Sequence, residues 1–164
     1  MENKEHTDKF KLANFFIVTE QDLTLKKLHK LLYYSYVWDL VLNDKNAPTK
    51  LTPLYKRNFA ATLKGVIDLD IQEKYKQYGQ YGNGVIKEST DTTITCPHCL
   101  DILLQVHLAY GSFTDDQLVR INRQEFDWGR TVKLEPLEPT KELVPSDEEL
   151  YQIYHEQAIH SMLG

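Results

Sequence analysis

The chain has 164 residues, of which 41% are hydrophobic and 26% charged, and its formal net charge is −5. This length and composition indicate a single globular domain spanning residues 1–164 and exclude a disordered chain. The sequence has no basic stripe of the kind that binds nucleic acid, so no nucleic-acid partner is expected. It also has no apolar run long enough for a membrane span or a secretory signal, which favours the cytoplasm and no membrane contact.

The first half of the chain predicts helices packed around one central helix. Residues 8–18 have helical apolar spacing. The segment from about Leu25 to Asn43, with Thr24 as N-cap, is predicted to be the central helix because its second half is apolar on nearly every side. Its first half is amphipathic, and we expect His29 and Lys30 to face solvent there. Two further helices are predicted at 54–64, ended by Gly65, and at 68–78.

The second half of the chain begins with a change in pattern. Residues 84–95 place β-branched residues on both sides of a polar turn, which indicates a short hairpin or an ordered loop. Three helices are then predicted, at Pro97 to Tyr110, after Thr114 with Gln117 in a capping box, and from Ser146 with Glu149 to about Met162. A proline-rich, acidic loop covers 131–145. The expected fold class is therefore mainly α, a compact bundle of about six helices around a buried central helix.

The helix at Pro97 to Tyr110 shows an apolar period, and two polar residues lie among apolar neighbours. The apolar face of this helix is predicted to consist of Leu100, Leu103, Leu104, His107 and Leu108. Within it, His107 is expected to be a hydrogen-bonded core histidine. Asp39 interrupts the buried end of the central helix, and we expect it to pair with a lysine or to cap a loop.

The motif Cys96–Pro97–His98–Cys99 is chemically the most reactive part of the sequence. A helix N-terminus lowers the pKa of a thiol, as in disulfide oxidoreductases, so a thiol–disulfide enzyme using Cys96 and Cys99 is one hypothesis. Such enzymes require βαβ units, whereas this chain predicts helices in series, and two structural thiols beside a first-turn proline are favoured. A zinc ion needs four ligands, and His98 is too close in sequence to both cysteines to provide good independent geometry. We therefore predict no metal site, no cofactor and no catalytic residue.

Tyrosines provide the candidate protein-binding surface. Tyrosine and tryptophan are the usual anchors of protein interfaces, although a cluster within a helix also suits a core. The candidates lie on the central helix and beside the glycine-containing segment: Tyr33, Tyr36, Tyr75, Tyr78 and Tyr81.

Three sequence blocks, in this order, resemble the Panacea (SocA-like) domain family. The first block is Ala13–Asn14–Phe15–Phe16, Leu25 to Tyr34, and Trp38. The second is Pro53–Leu54–Tyr55, Phe59–Ala60–Ala61, Gly65–Val66–Ile67, Ile71 and Tyr75. The third is Ile102–Leu103, Val106, Tyr110–Gly111, Phe113, Gln117–Leu118, Gln124–Glu125 and Trp128. The resemblance covers roughly residues 10–155, and the chain departs from the family pattern at Thr62, Val66 and Arg123.

This resemblance implies a non-enzymatic antitoxin, often phage- or prophage-associated, that neutralises a toxin by binding it directly. A phage-encoded inhibitor of a bacterial defence or host factor would use the same scaffold and mechanism, and the sequence leaves both targets open. It also leaves the oligomeric state open. The thiol–disulfide oxidoreductase is the alternative from a different functional class.

Overall fold

The protein is represented by a computed structural model that describes residues 8–42, 51–78, 84–87, 94, 96–125 and 140–163, with side chains up to residue 160. Its elements are α1 (Lys9–Thr19), α2 (Leu25–Leu42), β1 (Phe59–Thr62), β2 (Gly65–Asp68), α3 (Leu69–Tyr75), α4 (Pro97–Tyr110), α5 (Asp115–Glu125) and α6 (Asp147–Leu163). Short 3₁₀ turns lie at Lys76–Tyr78 and Lys141–Leu143. The predicted fold class, a mainly α bundle of about six helices, is confirmed, and the bundle also contains one small two-stranded sheet.

Helix α2 lies at the centre of the bundle and contacts α1, α4, α5, α6 and β2. Every residue from Leu28 to Val37 is buried, so the helix is enclosed around its whole circumference over almost three turns. The prediction of a buried central helix is confirmed. The burial extends further toward the N-terminus than predicted, and it encloses His29 and Lys30, which were expected to face solvent.

Side-chain caps fix the helix starts at the predicted positions. Thr24 Oγ1 accepts the backbone N–H of Lys27 at 3.2 Å, as predicted for the start of α2. The capping box before α5 is confirmed by reciprocal hydrogen bonds between Thr114 and Gln117. Ser146 and Glu149 make the same pair of bonds before α6. These bonds satisfy backbone N–H groups that have no acceptor within their own helix.

The prediction of a helix over 54–64 is wrong, because β1 and β2 form an antiparallel hairpin there. Gly65 was predicted to end that helix, but it is the first residue of β2. Its φ is +91°, a value that glycine adopts easily. Ala60, Ala61 and Val66 are fully buried. Of the residues 84–95, where a hairpin was predicted, the structure describes 84–87 and 94. Val85 there makes an isolated bridge with Thr24.

Both outer edges of the hairpin are hydrogen-bonded at the pair formed by Ala61 and Val66. On the β1 side, Ala61 exchanges backbone hydrogen bonds of 2.9 and 3.0 Å with Thr140. On the β2 side, the N–H of Val66 donates to Asn122 Oδ1 at 3.0 Å, and its carbonyl accepts from Lys30 Nζ at 2.9 Å. Side chains of α2 and α5 therefore take the place of a third strand.

The remaining predictions concern the loop at 131–145 and the membrane. The described part of that loop contains the 3₁₀ turn at Lys141–Leu143, and residues 131–139 lie outside the described residues. Among the helices that the structure describes, none combines the length and the apolar character needed to cross a bilayer.

Candidate functional site: the outer face of α4

Helix α4 carries two apolar faces, and only one of them is covered. Its buried face consists of Cys99, Ile102, Leu103 and Val106. The opposite face carries Leu100, Leu104 and Leu108, which repeat at every fourth position and are 37%, 42% and 79% exposed. These three residues, called here the α4 leucine stripe, span about 12 Å along the helix axis. The predicted single apolar face of α4 is therefore wrong for these leucines, which point away from the core.

The end of α1 lies beside the C-terminal half of α4. His107 Nδ1 is 2.6 Å from Glu20 Oε1, and Lys27 Nζ donates to the carbonyl of Gly111 at 2.6 Å. The hydrogen bond predicted for His107 is therefore present. The residue is half-buried and does not lie fully inside the core, where it was predicted to lie. Val18, two residues before Glu20, is a further exposed apolar residue, with 66% of its surface accessible. Exposed apolar residues that repeat along one face of a helix are more typical of an interaction site than isolated surface leucines.

The N-terminus of α4 is formed by the Cys96–Pro97–His98–Cys99 motif. Cys96 is the N-cap, and its sulfur accepts the backbone N–H of Cys99 at 3.3 Å. The two cysteines form a disulfide. Cys99 is buried, Cys96 is half-buried and His98 is exposed, so the reactive end of the motif faces solvent. We call this four-residue segment the α4 cap.

The imidazole of His98 lies against both sulfur atoms of the α4 cap. Its Nδ1 is 3.2 Å from Cys96 Sγ, and its Nε2 is 3.8 Å from Cys99 Sγ. One ligand atom from each of the three residues fits within 4.8 Å. The motif therefore brings together two cysteine sulfurs and an imidazole. Cysteine thiolates, which reduction of the disulfide would supply, and imidazole are the ligand types that bind zinc and other soft metals.

Most of the tyrosines predicted as interface anchors belong to the core. Tyr33, Tyr36 and Tyr75 are at most 3% exposed and have no surface to offer a partner. Tyr33 shares a 2.9 Å hydrogen bond with the hydroxyl of Tyr154, and Tyr36 donates to Asp147 at 2.8 Å. These contacts join α2 to α6. Tyr78 is half-buried, and Tyr81 lies outside the described residues.

A second group of polar side chains surrounds Glu125 at the end of α5. Tyr34 and Tyr154 both donate to Glu125 Oε1, at 2.7 and 2.9 Å. Burial raises the pKa of Glu125, and the two hydroxyl donors oppose that shift by stabilising its ionised form. Tyr34 stacks on Tyr110 with ring centroids 4.2 Å apart, and the Tyr110 hydroxyl accepts from Trp38 Nε1 at 2.8 Å. The network ties α2, α4, α5 and α6 together and is structural.

The buried charged residues on the hairpin side of α2 are also accounted for by structural contacts. The backbone N–H of Asp68 donates to His29 Nδ1 at 3.2 Å, so that nitrogen carries no hydrogen, and Nε2 donates to Gln72 Oε1 at 2.9 Å. Burial lowers the pKa of His29 to about 4 and that of Lys30 to about 7. Asp39, predicted to pair with a lysine or cap a loop, is fully buried in the same helix.

Asp68 forms an ion pair with Lys9 that ties α1 to the hairpin. Lys9 Nζ lies 3.0 Å from one carboxylate oxygen of Asp68 and 2.7 Å from Asp70. Lys9 and Asp68 are both buried, whereas Asp70 is half exposed. Asp68 also caps α3 by accepting the N–H groups of Asp70 and Ile71. Hydrogen bonds to Lys9 and Asn58 lower the pKa of Asp70.

Comparisons of the chain with protein-family models, curated proteins and solved structures gave no significant match.

Proposed function

We propose that this chain is a non-enzymatic protein-binding inhibitor of the antitoxin type, and that its partner contacts the α4 leucine stripe. The observation that supports it is the exposure of Leu100, Leu104 and Leu108 on a helix whose opposite face is buried. The antitoxin-type function is inferred from the resemblance to Panacea domains, and the binding surface is inferred from the exposed leucine stripe. The partner is a toxin, or a defence or host factor inhibited in the same way, by occlusion of its working surface.

The stripe suits this role because it is apolar and exposed to solvent. Burying apolar surface contributes roughly 25 cal/mol per Å². An interface also gains affinity from a rigid presentation, because little conformational entropy is then lost on binding. Helix α4 is held by its capped N-terminus, by its packed inner face and by the His107–Glu20 contact.

The test is capture of a partner with tagged wild-type chain and with a Leu104→Asp, Leu108→Asp double variant. The matched control is Leu63→Asp, because Leu63 is 40% exposed on the hairpin turn, away from α4. We expect the captured protein, once purified, to bind the wild type and Leu63→Asp with equal affinity and not to bind the double variant. A toxin partner should also arrest growth alone and not when co-expressed with the wild type. Equal binding of the purified partner to all three chains would show that the stripe is not the interface.

The second candidate function is thiol–disulfide exchange, which the Cys96–Cys99 disulfide at a helix N-terminus favours. A substrate dithiol would transfer two electrons and two protons to this disulfide, leaving two thiols in the α4 cap and a disulfide in the substrate. Cys96 is the more exposed sulfur and would form the mixed disulfide. In a Cys99→Ser variant the Cys96 thiolate should attack the disulfide of an oxidised substrate, which is the reverse reaction, and one substrate sulfur leaves as a thiol. The mixed disulfide at Cys96 is then trapped because Cys99 is missing, whereas the inhibitor function predicts no trapped protein and unchanged partner binding.

A further inference from the structure

In the α4 cap the distances from the His98 ring to the two sulfurs match those of a metal site, whereas the sulfurs are bonded to each other in the disulfide and must separate to roughly 3.8 Å to bind one ion. A tetrahedral zinc ion with Zn–S bonds of about 2.3 Å and Zn–N bonds of about 2.0 Å holds its sulfur and nitrogen ligands roughly 3.5 Å apart. The His98 ring nitrogens lie 3.2 and 3.6 Å from Cys96 Sγ and 3.8 Å from Cys99 Sγ. Sequence spacing alone argues against His98 as a third ligand, but these distances do not. The ring lies close to both sulfurs while its residue stays exposed.

The backbone around the cap favours the thiolate form that a metal requires. Cys96 is at the N-terminus of a helix of 14 residues, where the helix dipole stabilises negative charge. Its sulfur accepts the N–H of Cys99 at 3.3 Å, a bond that strengthens when the sulfur is charged. Pro97 fixes the first turn, so the two sulfurs are held on the same side of the helix start. Cys99 is anchored by burial and Cys96 is accessible, so an ion can enter from solvent.

We propose that the reduced α4 cap binds one soft divalent metal ion such as Zn²⁺ through Cys96 Sγ, Cys99 Sγ and a ring nitrogen of His98. A dithiol or phosphine reductant first supplies two electrons that break the S–S bond and is itself oxidised, and the sulfurs take up two protons. Metal binding then releases both protons as the sulfurs bind as thiolates. Three ligands leave a fourth tetrahedral position for water or for a side chain of another protein.

This site is independent of the leucine stripe and of the proposed inhibitor function. Leu100 of the stripe directly follows Cys99, but Leu104 and Leu108, which the partner-binding test alters, lie in later turns of α4 than the ligands. Loss of one therefore does not imply loss of the other.

The experiment titrates the reduced full-length chain, under phosphine reductant and without oxygen, with Zn²⁺ in competition with a chromophoric chelator. The wild type should bind one ion per chain, and Cd²⁺ in its place should give a thiolate-to-metal absorption band. Cys96→Ser, which retains a good N-cap residue, and His98→Gln should each weaken binding by about tenfold or more, a change of about 1.4 kcal/mol. His160→Gln is the matched control, because His160 is an exposed histidine on α6.

The outcomes separate clearly. Stoichiometric binding that depends on both Cys96 and His98, with helical circular dichroism unchanged in the variants, supports the site. If the wild type binds zinc no more tightly than a Cys96→Ser, Cys99→Ser double variant, the proposal is overturned. Binding that His98→Gln leaves at the wild-type level also overturns it, because the third ligand would then be absent.

Discussion

Helices α2 and α4 are both rich in leucine, yet α2 is buried on every side and α4 on one face only. Around α2 even charged and polar side chains are enclosed, and His29, Lys30 and Asp68 each have defined hydrogen-bond partners. On α4 one face is packed, while three leucines of the other face remain exposed. Burying a polar group costs free energy unless it is hydrogen-bonded, so the surroundings of α2 are fixed by the requirements of folding. The outer face of α4 has no such constraint and is available to a partner.

The largest expected effect is on the α2 side, in the Asp68→Ala variant. It leaves the buried Lys9 ammonium with only the half-exposed Asp70 and removes the N-cap of α3. Removing one partner of a buried ion pair costs about 3–5 kcal/mol, and we expect that loss in the free energy of unfolding measured by urea denaturation. Asp70→Ala removes a partly exposed carboxylate from the same lysine and should cost about 1 kcal/mol or less. Equal losses in the two variants would contradict the distinction between the buried and the exposed pair.

The next effect is on the packed face of α4. Leu103 is fully buried, and Leu103→Ala should lower the free energy of unfolding by about 2–5 kcal/mol, because it removes apolar contacts and leaves a cavity. Chemical denaturation with circular dichroism as the readout checks this value. A loss below about 1 kcal/mol would mean that the inner face of α4 is not packed as described.

The third effect depends on pH and concerns His29. Its pKa is about 4 in the folded chain and 6.5 when exposed, so the unfolded state binds more protons between these values. Its contribution to stability is therefore complete above pH 6.5 and is lost as the pH falls toward 4, by at most about 3 kcal/mol. His29→Gln should flatten that part of the stability profile, whereas His160→Gln on the exposed end of α6 should leave it unchanged. A wild-type slope retained in His29→Gln would assign the pH dependence to other groups.

The smallest effect is expected on the exposed face of α4. Leu108→Ala, at a residue 79% exposed, should change the free energy of unfolding by no more than about 0.5 kcal/mol, and Leu104→Ala, at a residue 42% exposed, by about 1 kcal/mol. Thermal unfolding of both variants beside Leu103→Ala gives the comparison directly. A large destabilisation by Leu108→Ala would place this face inside the fold and remove it as a binding surface.

The sequence predicted the helices well because periodicity and caps are local signals. Thr24, Thr114 and Ser146 mark helix starts that the structure confirms. The hairpin was missed because alanines at 60 and 61 favour a helix locally, and the contacts that impose strands come from Lys30, Asn122 and Thr140, all distant in sequence.

The candidate site was only partly predictable. The motif of the α4 cap is visible in the sequence, but the position of the His98 ring is not. The leucine stripe did have a signal, since apolar residues cover more of α4 than one buried face requires. Which of the two apolar faces turns inward depends on the neighbouring helices. The burial of His29 and of Tyr33 likewise depends on partners in α3 and α6.

The bonds to Val66 have a consequence for how the chain avoids self-association. A two-stranded hairpin normally presents unpaired N–H and C=O groups along its edges, and such edges invite strands from other molecules to add on. Here Lys30 and Asn122 occupy one edge at Val66, and Thr140 occupies the other at Ala61. The buried side chains of Lys30 and Asn122 thus satisfy backbone groups that a strand from another molecule would otherwise bind. The hairpin edge is blocked in this way without a proline or a surface lysine on either strand.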